Sequence, residues 1–277
     1  MKLERNSIAI KNLTEFLIEN KKSFQVKHGT YTTTIETEHG KRKFQTNTFD
    51  NRVFIAARMI RRDVLASEIG REIMDGKHSK INFGHHQNLS PFKAKKVLNL
   101  DISSAYASCL HLSGLITQNT YDYLKTVRKE ERLPSIGMLA RSQCIWTYEY
   151  GVCTEVKPTT ADTAQIFYYL IEQINLTMEA IAWILGKHYF FYWVDGVFFS
   201  ADTPKRLITQ AERVLNEKGY RFKYEEVTNF SLKKLRNDTY MIDMIKNNEP
   251  KKYHFSTTNR EGRQIKEFLT MISNSSQ

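Results

Sequence analysis

Two aspartates stand out by what surrounds them. Asp101 closes the apolar run Val97-Leu-Asn-Leu100 and is followed by Ser104, Tyr106 and Ser108 at spacings of three, five and seven. Asp195 sits inside the aromatic stretch Tyr189-Phe-Phe-Tyr-Trp-Val-Asp-Gly-Val-Phe-Phe-Ser200. A carboxylate at the end of a buried strand is well placed to hold a cation. Two of them, offered from adjacent strands, suit a two-metal phosphoryl-transfer site. Each also has a plainer reading. Asp195-Gly196 between apolar runs is a two-residue hairpin signal, and Asp101, like Ser103 or Ser104, can cap the helix that follows.

The elements around them set the fold expected. Arg52 to Asp75 carries a helical apolar stripe that stops at Gly76, with Arg58, Arg61, Arg62 and Arg71 on its other face. That face is either solvated or a contact for a phosphate backbone. Residues 118 to 134 read as a charged amphipathic helix, with Lys125, Arg128, Lys129 and Arg132 on broadly one side and Pro134 ending it. Asp162 to Leu185 is the clearest helix, followed by Gly186, and Thr203 to Lys218 is another, closed by Gly219. Tyr220 to Val227 alternates as a half-exposed strand, and residues 143 to 152 suggest a hairpin. Nearer the N-terminus, Asn12 to Glu19 suggests a short helix, and Thr30–Glu38 and Lys43–Thr48 suggest strands. The order gives an α+β fold with helices packed on one face of a largely antiparallel sheet. Gly76 to Pro91, with its His85-His86 pair, reads as a loop.

Composition narrows the partners. With 277 residues, a formal charge of +11 and 41% hydrophobic residues, the chain is an ordinary globular protein with a basic surplus. The surplus recurs in Lys93-Ala-Lys-Lys96, Lys233-Lys-Leu-Arg236 and Lys251-Lys252, which favours a polyanionic partner. The three cysteines, Cys109, Cys144 and Cys153, have no metal spacing and an odd count, against a disulfide framework. No apolar run reaches membrane-spanning length and no signal peptide is visible, so a cytoplasmic protein without a membrane partner is expected. Disorder is expected only at residues 273–277.

The acid-bearing motifs resemble those of family B DNA polymerases. Asp101-Ile-Ser-Ser-Ala-Tyr-Ala-Ser108 is similar to the first palm motif, DxxSLYPS: Asp101, Ser104, Tyr106 and Ser108 match, while Ala105 and Ala107 replace Leu and Pro. Val194-Asp-Gly-Val-Phe-Phe199 resembles the third motif, YxDTDSVF, aligned on its second aspartate; Trp193 replaces the first aspartate and Gly196 the serine. The finger motif KxxxNSxYG is poorly kept. Its best fit starts at Arg132, with Lys125, Arg128 and Arg141 as competing triphosphate ligands. Leu232 to Tyr240 resembles the KxY region at the primer end: Tyr240 fits, Asp238 stands in place of the lysine, and Lys233, Lys234 and Arg236 lie close.

The resemblance covers residues 95 to 242. It implies a polymerase-type palm over 91–245, with a short fingers insertion at about 109–150. The residues outside it read as an N-terminal mixed α/β region over 1–90 and a basic tail or reduced thumb over 246–277, and no exonuclease domain is expected, because Thr34-Ile-Glu-Thr-Glu38 only faintly resembles that domain's first motif and lacks its leading Asp. Asp101 and Asp195 would bind Mg²⁺ or Mn²⁺. Ser104, Tyr106, Arg132, Lys125, Arg128 and Arg141 would bind the nucleotide. Lys233, Lys234, Arg236, Tyr240, Arg61 and Arg62 would bind the nucleic acid. The expected partners are DNA, as primer-template or single strand, and dNTPs, in a compact phage- or plasmid-like enzyme. Two rival readings stay open. One is a palm that binds nucleic acid as a replication accessory without making bonds. The other is a metal-dependent nuclease, for which Glu155 and Glu225 are the further acids.

Overall fold

A computed structural model describes residues 2–29, 32–45, 51–76, 78, 90–236 and 239–256. The His85-His86 pair, Asp238 and the C-terminal residues from 257 lie outside the described residues. In chain order the elements begin with α1 (Lys2–Glu19), β1 (Phe24–Gly29), β2 (Thr32–Thr37) and β3 (Gly40–Gln45). Next come α2 (Asn51–Ala66), α3 (Glu68–Asp75), β4 (Phe92–Ile102), α4 (Ala105–Leu112), α5 (Gln118–Thr126) and α6 (Lys129–Gly137). Then follow β5 (Ser142–Glu149), β6 (Val152–Thr160), α7 (Ala164–Leu185), β7 (Tyr189–Trp193) and β8 (Gly196–Ser200). Last are α8 (Lys205–Glu217), β9 (Phe222–Arg236), β10 (Thr239–Lys246) and β11 (Glu249–Ser256). The fold is α+β, with two antiparallel sheets.

The chain forms two compact units that are not consecutive segments. Among the described residues, the first comprises 2–61 and 127–164 and the second comprises 62–126 and 165–256. These bounds differ from the expected cut near residue 90. The difference comes from strand pairing: β5 pairs with β1, Phe24 opposite Tyr148 through Gly29 opposite Gln143. Residues 142–160, expected as the end of the fingers insertion and the palm that follows it, thereby join the N-terminal sheet, whose order is β3-β2-β1-β5-β6. Its core is Ile10 and Leu17 of α1 against Phe24, Val26, Ile35, Trp146 and Tyr148. Phe24 and Tyr148, directly opposite each other, stack at 4.4 Å between ring centres.

The second unit holds a six-stranded sheet in the order β11-β10-β9-β4-β8-β7. Residues opposite one another in an antiparallel pair share a face. Tyr192 faces Val197, Val197 faces Leu100, and Leu100 faces Tyr224. These side chains therefore lie on one side of the sheet. Tyr192 donates to Asn175 Oδ1 of α7 at 2.5 Å, and Tyr224 donates to Glu212 of α8 at 3.0 Å. The two helices thus cover that side. The other side carries a second cluster, built from Val97, Phe191, Phe198, Val227, Phe230, Leu232, Tyr240, Ile242 and Met244.

Two helix expectations are corrected. The stripe over 52–75 is two helices, because the chain turns at Ser67. Ser67 is extended (φ −72°, ψ 134°) and its hydroxyl accepts from the Gly70 amide, capping α3. The turn brings residue 70 against the end of α2, where a Cβ on Gly70 would lie 2.2 Å from the Val64 carbonyl oxygen. Gly70→Ala is therefore expected to destabilise the protein by about 2–3 kcal/mol, read as a lower urea midpoint at unchanged m-value. An unshifted midpoint would show that the junction tolerates a side chain. Residues 118–134 likewise form α5 and α6, with Pro134 inside α6 rather than ending it. Glu131 closes a box at the α6 start, accepting from the Arg128 amide and guanidinium, and this holds the helix in place despite the proline.

Candidate active site

The two motif aspartates come together at one end of the six-stranded sheet. Asp101 is the penultimate residue of β4 and pairs with Gly196 at the start of β8. The Ile102 amide donates to the Asp195 carbonyl at 2.9 Å. The hairpin register differs from the Asp195-Gly196 turn expected. Trp193 pairs with Gly196, so the two turn residues are Val194 and Asp195. Val194 adopts φ +58°, a left-handed conformation that a β-branched residue rarely holds. Gly196 belongs to the ladder, and its reason for being glycine is space. A Cβ there would lie 2.8 Å from Asn99 Oδ1 and 3.3 Å from Asp101 Oδ1.

Asn99, Asp101, Lys223 and Glu225 share one face, the one carrying the Val97–Phe198–Val227 cluster. Asn99 is opposite Phe198 and Glu225; Asp101 is opposite Lys223. Lys223 Nζ lies 3.4 Å from Asp101 Oδ2 and 2.7 Å from Glu225 Oε1. Lys246 Nζ lies 2.5 Å from Glu225 Oε2, and Asn99 Nδ2 donates to that same oxygen at 3.3 Å. Burial alone would raise the Glu225 carboxyl, but hydrogen bonds from Lys223 and Lys246 hold it down to about 2. Lys223 is in turn held protonated, chiefly by its bond to Glu225. Asn99 is 6% exposed, and its Oδ1 has no hydrogen-bond partner.

Among the described residues, no group of three or more His, Cys, Asp or Glu side chains is arranged to hold a metal ion. A lysine bridges Asp101 and Glu225 instead. The donors offered by Asp101, Asp195 and the unpartnered Asn99 Oδ1 are all hard oxygens, which suit Mg²⁺ or Mn²⁺. Gly196→Ala is expected to leave the fold intact while pushing the Asn99 amide and the Asp101 carboxylate aside. A side chain forced in at that distance costs about 1–3 kcal/mol, to be measured as a lower urea midpoint; a midpoint equal to wild type would show that the clearance is unused.

The remaining expected site residues are distributed as follows. Ser104 precedes α4 at φ +55° without a side-chain cap, and its carbonyl accepts from the Ser108 amide. Tyr106 is half-buried and stacks on Phe167 of α7 at 6.0 Å. Lys125 pairs with Asp122 at 2.5 Å and lies over the Tyr121 ring. Arg128, Arg132 and Arg141 belong to the first unit, where Arg128 is bound to Glu131 and Arg132 reaches the Val127 carbonyl. Lys233 pairs with Asp243 at 2.8 Å; Lys234 is exposed, and Arg236 ends β9. Tyr240 is 7% exposed and packs in the apolar cluster of the second unit. Arg61 is exposed, whereas Arg62 holds Asp63 through two bonds.

Sequence reasoning missed Asn99, Lys223 and Lys246, and weighed Glu225 only as a nuclease acid. The signal was present: Asn99 is the lone polar residue in Val97–Leu100, and Lys223 and Glu225 alternate onto one face of a strand. No helix among the described residues is long and apolar enough to cross a membrane. No protein-family model matches the chain, and no curated protein does.

Proposed function

We propose that the second unit is the palm of a family B-like, DNA-directed nucleotidyltransferase that adds dNTPs to a 3′ or protein hydroxyl. The observation that carries this reading is the 2.9 Å bond from the Ile102 amide to the Asp195 carbonyl. It joins the ends of the two motifs, Asp101 at the tip of β4 and Asp195 in the β7–β8 turn. Support also comes from the layering, with α7 and α8 behind the sheet and Asp101 on the opposite face.

In this reading Asp101 and Asp195 hold the divalent ions. When bound, such a pair acidifies the attacking hydroxyl and neutralises the departing pyrophosphate. Gly196 keeps the space beside Asp101 clear. Tyr106, steadied by its stack on Phe167, packs against the nucleotide sugar. Exposed basic residues of this unit such as Lys234 hold the nucleic-acid backbone, so binding falls steeply with salt.

The test is extension of a labelled primer-template with dNTPs and Mg²⁺ or Mn²⁺. Extension supports the polymerase reading. A second reading, an accessory that binds DNA without joining nucleotides, draws on Lys223 standing 3.4 Å from Asp101. Tight binding with neither extension nor cleavage would favour it, and cleavage alone would favour a nuclease.

A further inference from the structure

The lysine-bridged acids beside Asp101 have a use of their own. We infer that Asn99 and Glu225 complete the divalent-cation site of Asp101, and that Lys223 is its internal counter-cation, displaced when the metal enters. The inference rests on the proposed reading of Asp101 as a metal ligand.

Three observations carry it. Asn99 Oδ1 is buried without a hydrogen-bond partner, next to Asp101 Oδ1 over Gly196. A buried carbonyl oxygen left unsatisfied is costly, and a cation at that position would satisfy it. Glu225 is the neighbouring carboxylate, tied to Asn99 Nδ2 at 3.3 Å, so the amide links the two acids across β4 and β9. Lys223 contacts both acids, at 3.4 and 2.7 Å, while its own side chain is 53% exposed. A lysine on a flexible four-carbon stem can swing into solvent at little cost, whereas the acids stand on paired strands and stay. Lys246, bonded to Glu225 on its far oxygen, keeps that carboxylate ionised when Lys223 leaves.

Displacement means that metal binding works against an ion pair already made. Removing the competing charge tightens the site, and removing a ligand loosens it. The experiment titrates Mn²⁺ alone into the full chain, following free Mn²⁺ by electron paramagnetic resonance, with circular dichroism as a check on folding. Lys223→Met is expected to bind Mn²⁺ about tenfold more tightly than wild type, and Glu225→Gln and Asn99→Leu about tenfold more weakly. A gain of affinity in Lys223→Met cannot come from misfolding. Asp101→Asn is expected to abolish binding at the site. If wild type binds and Asp101→Asn does not, while the Lys223 and Glu225 variants match wild type, the inference falls and the reading of Asp101 stands. If neither wild type nor Lys223→Met binds Mn²⁺, both fall together.

Discussion

Asp101→Asn and Asp195→Asn are each expected to lower nucleotide incorporation by at least about 10²–10³-fold, the usual cost of removing one preorganised electrostatic group from a reacting centre. The loss should be catalytic and not structural. Asparagine keeps the shape of aspartate, and the 2.9 Å bond from the Ile102 amide falls on the Asp195 backbone carbonyl, which the substitution leaves in place. The ion pair that Asp101 gives up, to a Lys223 that is half in solvent, is worth at most about 1 kcal/mol. Single-turnover incorporation measured beside urea unfolding separates the two effects. Incorporation within tenfold of wild type in either variant would remove that residue from the centre.

The second large effect concerns Asp63, near the end of α2. Its carboxylate is buried and accepts from the Thr117 amide at 3.0 Å, the Thr117 hydroxyl at 2.7 Å and the Thr120 hydroxyl at 2.5 Å. Arg62 covers the other oxygen. Asp63 thereby fastens the start of α5. Burial on its own would raise this acid, but the bonds from Thr120, Thr117 and Arg62 outweigh it and hold the carboxyl at about 2, against an ordinary 3.8. A depressed acid stabilises the fold at pH values above its unfolded value, and that contribution drains away as pH falls from about 4 toward 2. The gap corresponds to roughly 2.5 kcal/mol. Asp63→Asn should therefore be destabilised by roughly that much at pH 6 and by much less near pH 2.5, with urea midpoints compared at both. A difference that does not shrink with acid would show that the carboxylate charge is not what holds α5.

How much of this was readable from the sequence depended on the range of the signal. α7 and α8 were expected within about two residues of where they lie, because Ile166, Leu170, Ile174, Met178, Ile181 and Leu185 declare a helical period by themselves. The two aspartates were singled out for a similar reason: each interrupts an apolar run. What failed was anything decided by a partner. Asp-Gly announced a turn correctly but one residue out of register, since Gly196 is required by Asn99 and Asp101 across the ladder and not by its own backbone. The break at Ser67 was hidden because Ile69 and Ile73 continue the apolar period of α2. β1 escaped notice among Lys21, Lys22 and His28. Its pairing with β5 leaves no trace in either segment.

That pairing also governs how the polypeptide reaches its shape during synthesis. Phe24 has no neighbour to stack on until Tyr148 has been made. At roughly 5–20 residues per second the wait is on the order of ten seconds. Meanwhile the β3-β2-β1 ribbon has its β1 edge, the one β5 later covers, unpaired, a form prone to joining the wrong chain. A cut at residue 90 would leave that ribbon permanently open, so useful fragments of this protein should be excised along its spatial seams instead of its linear order.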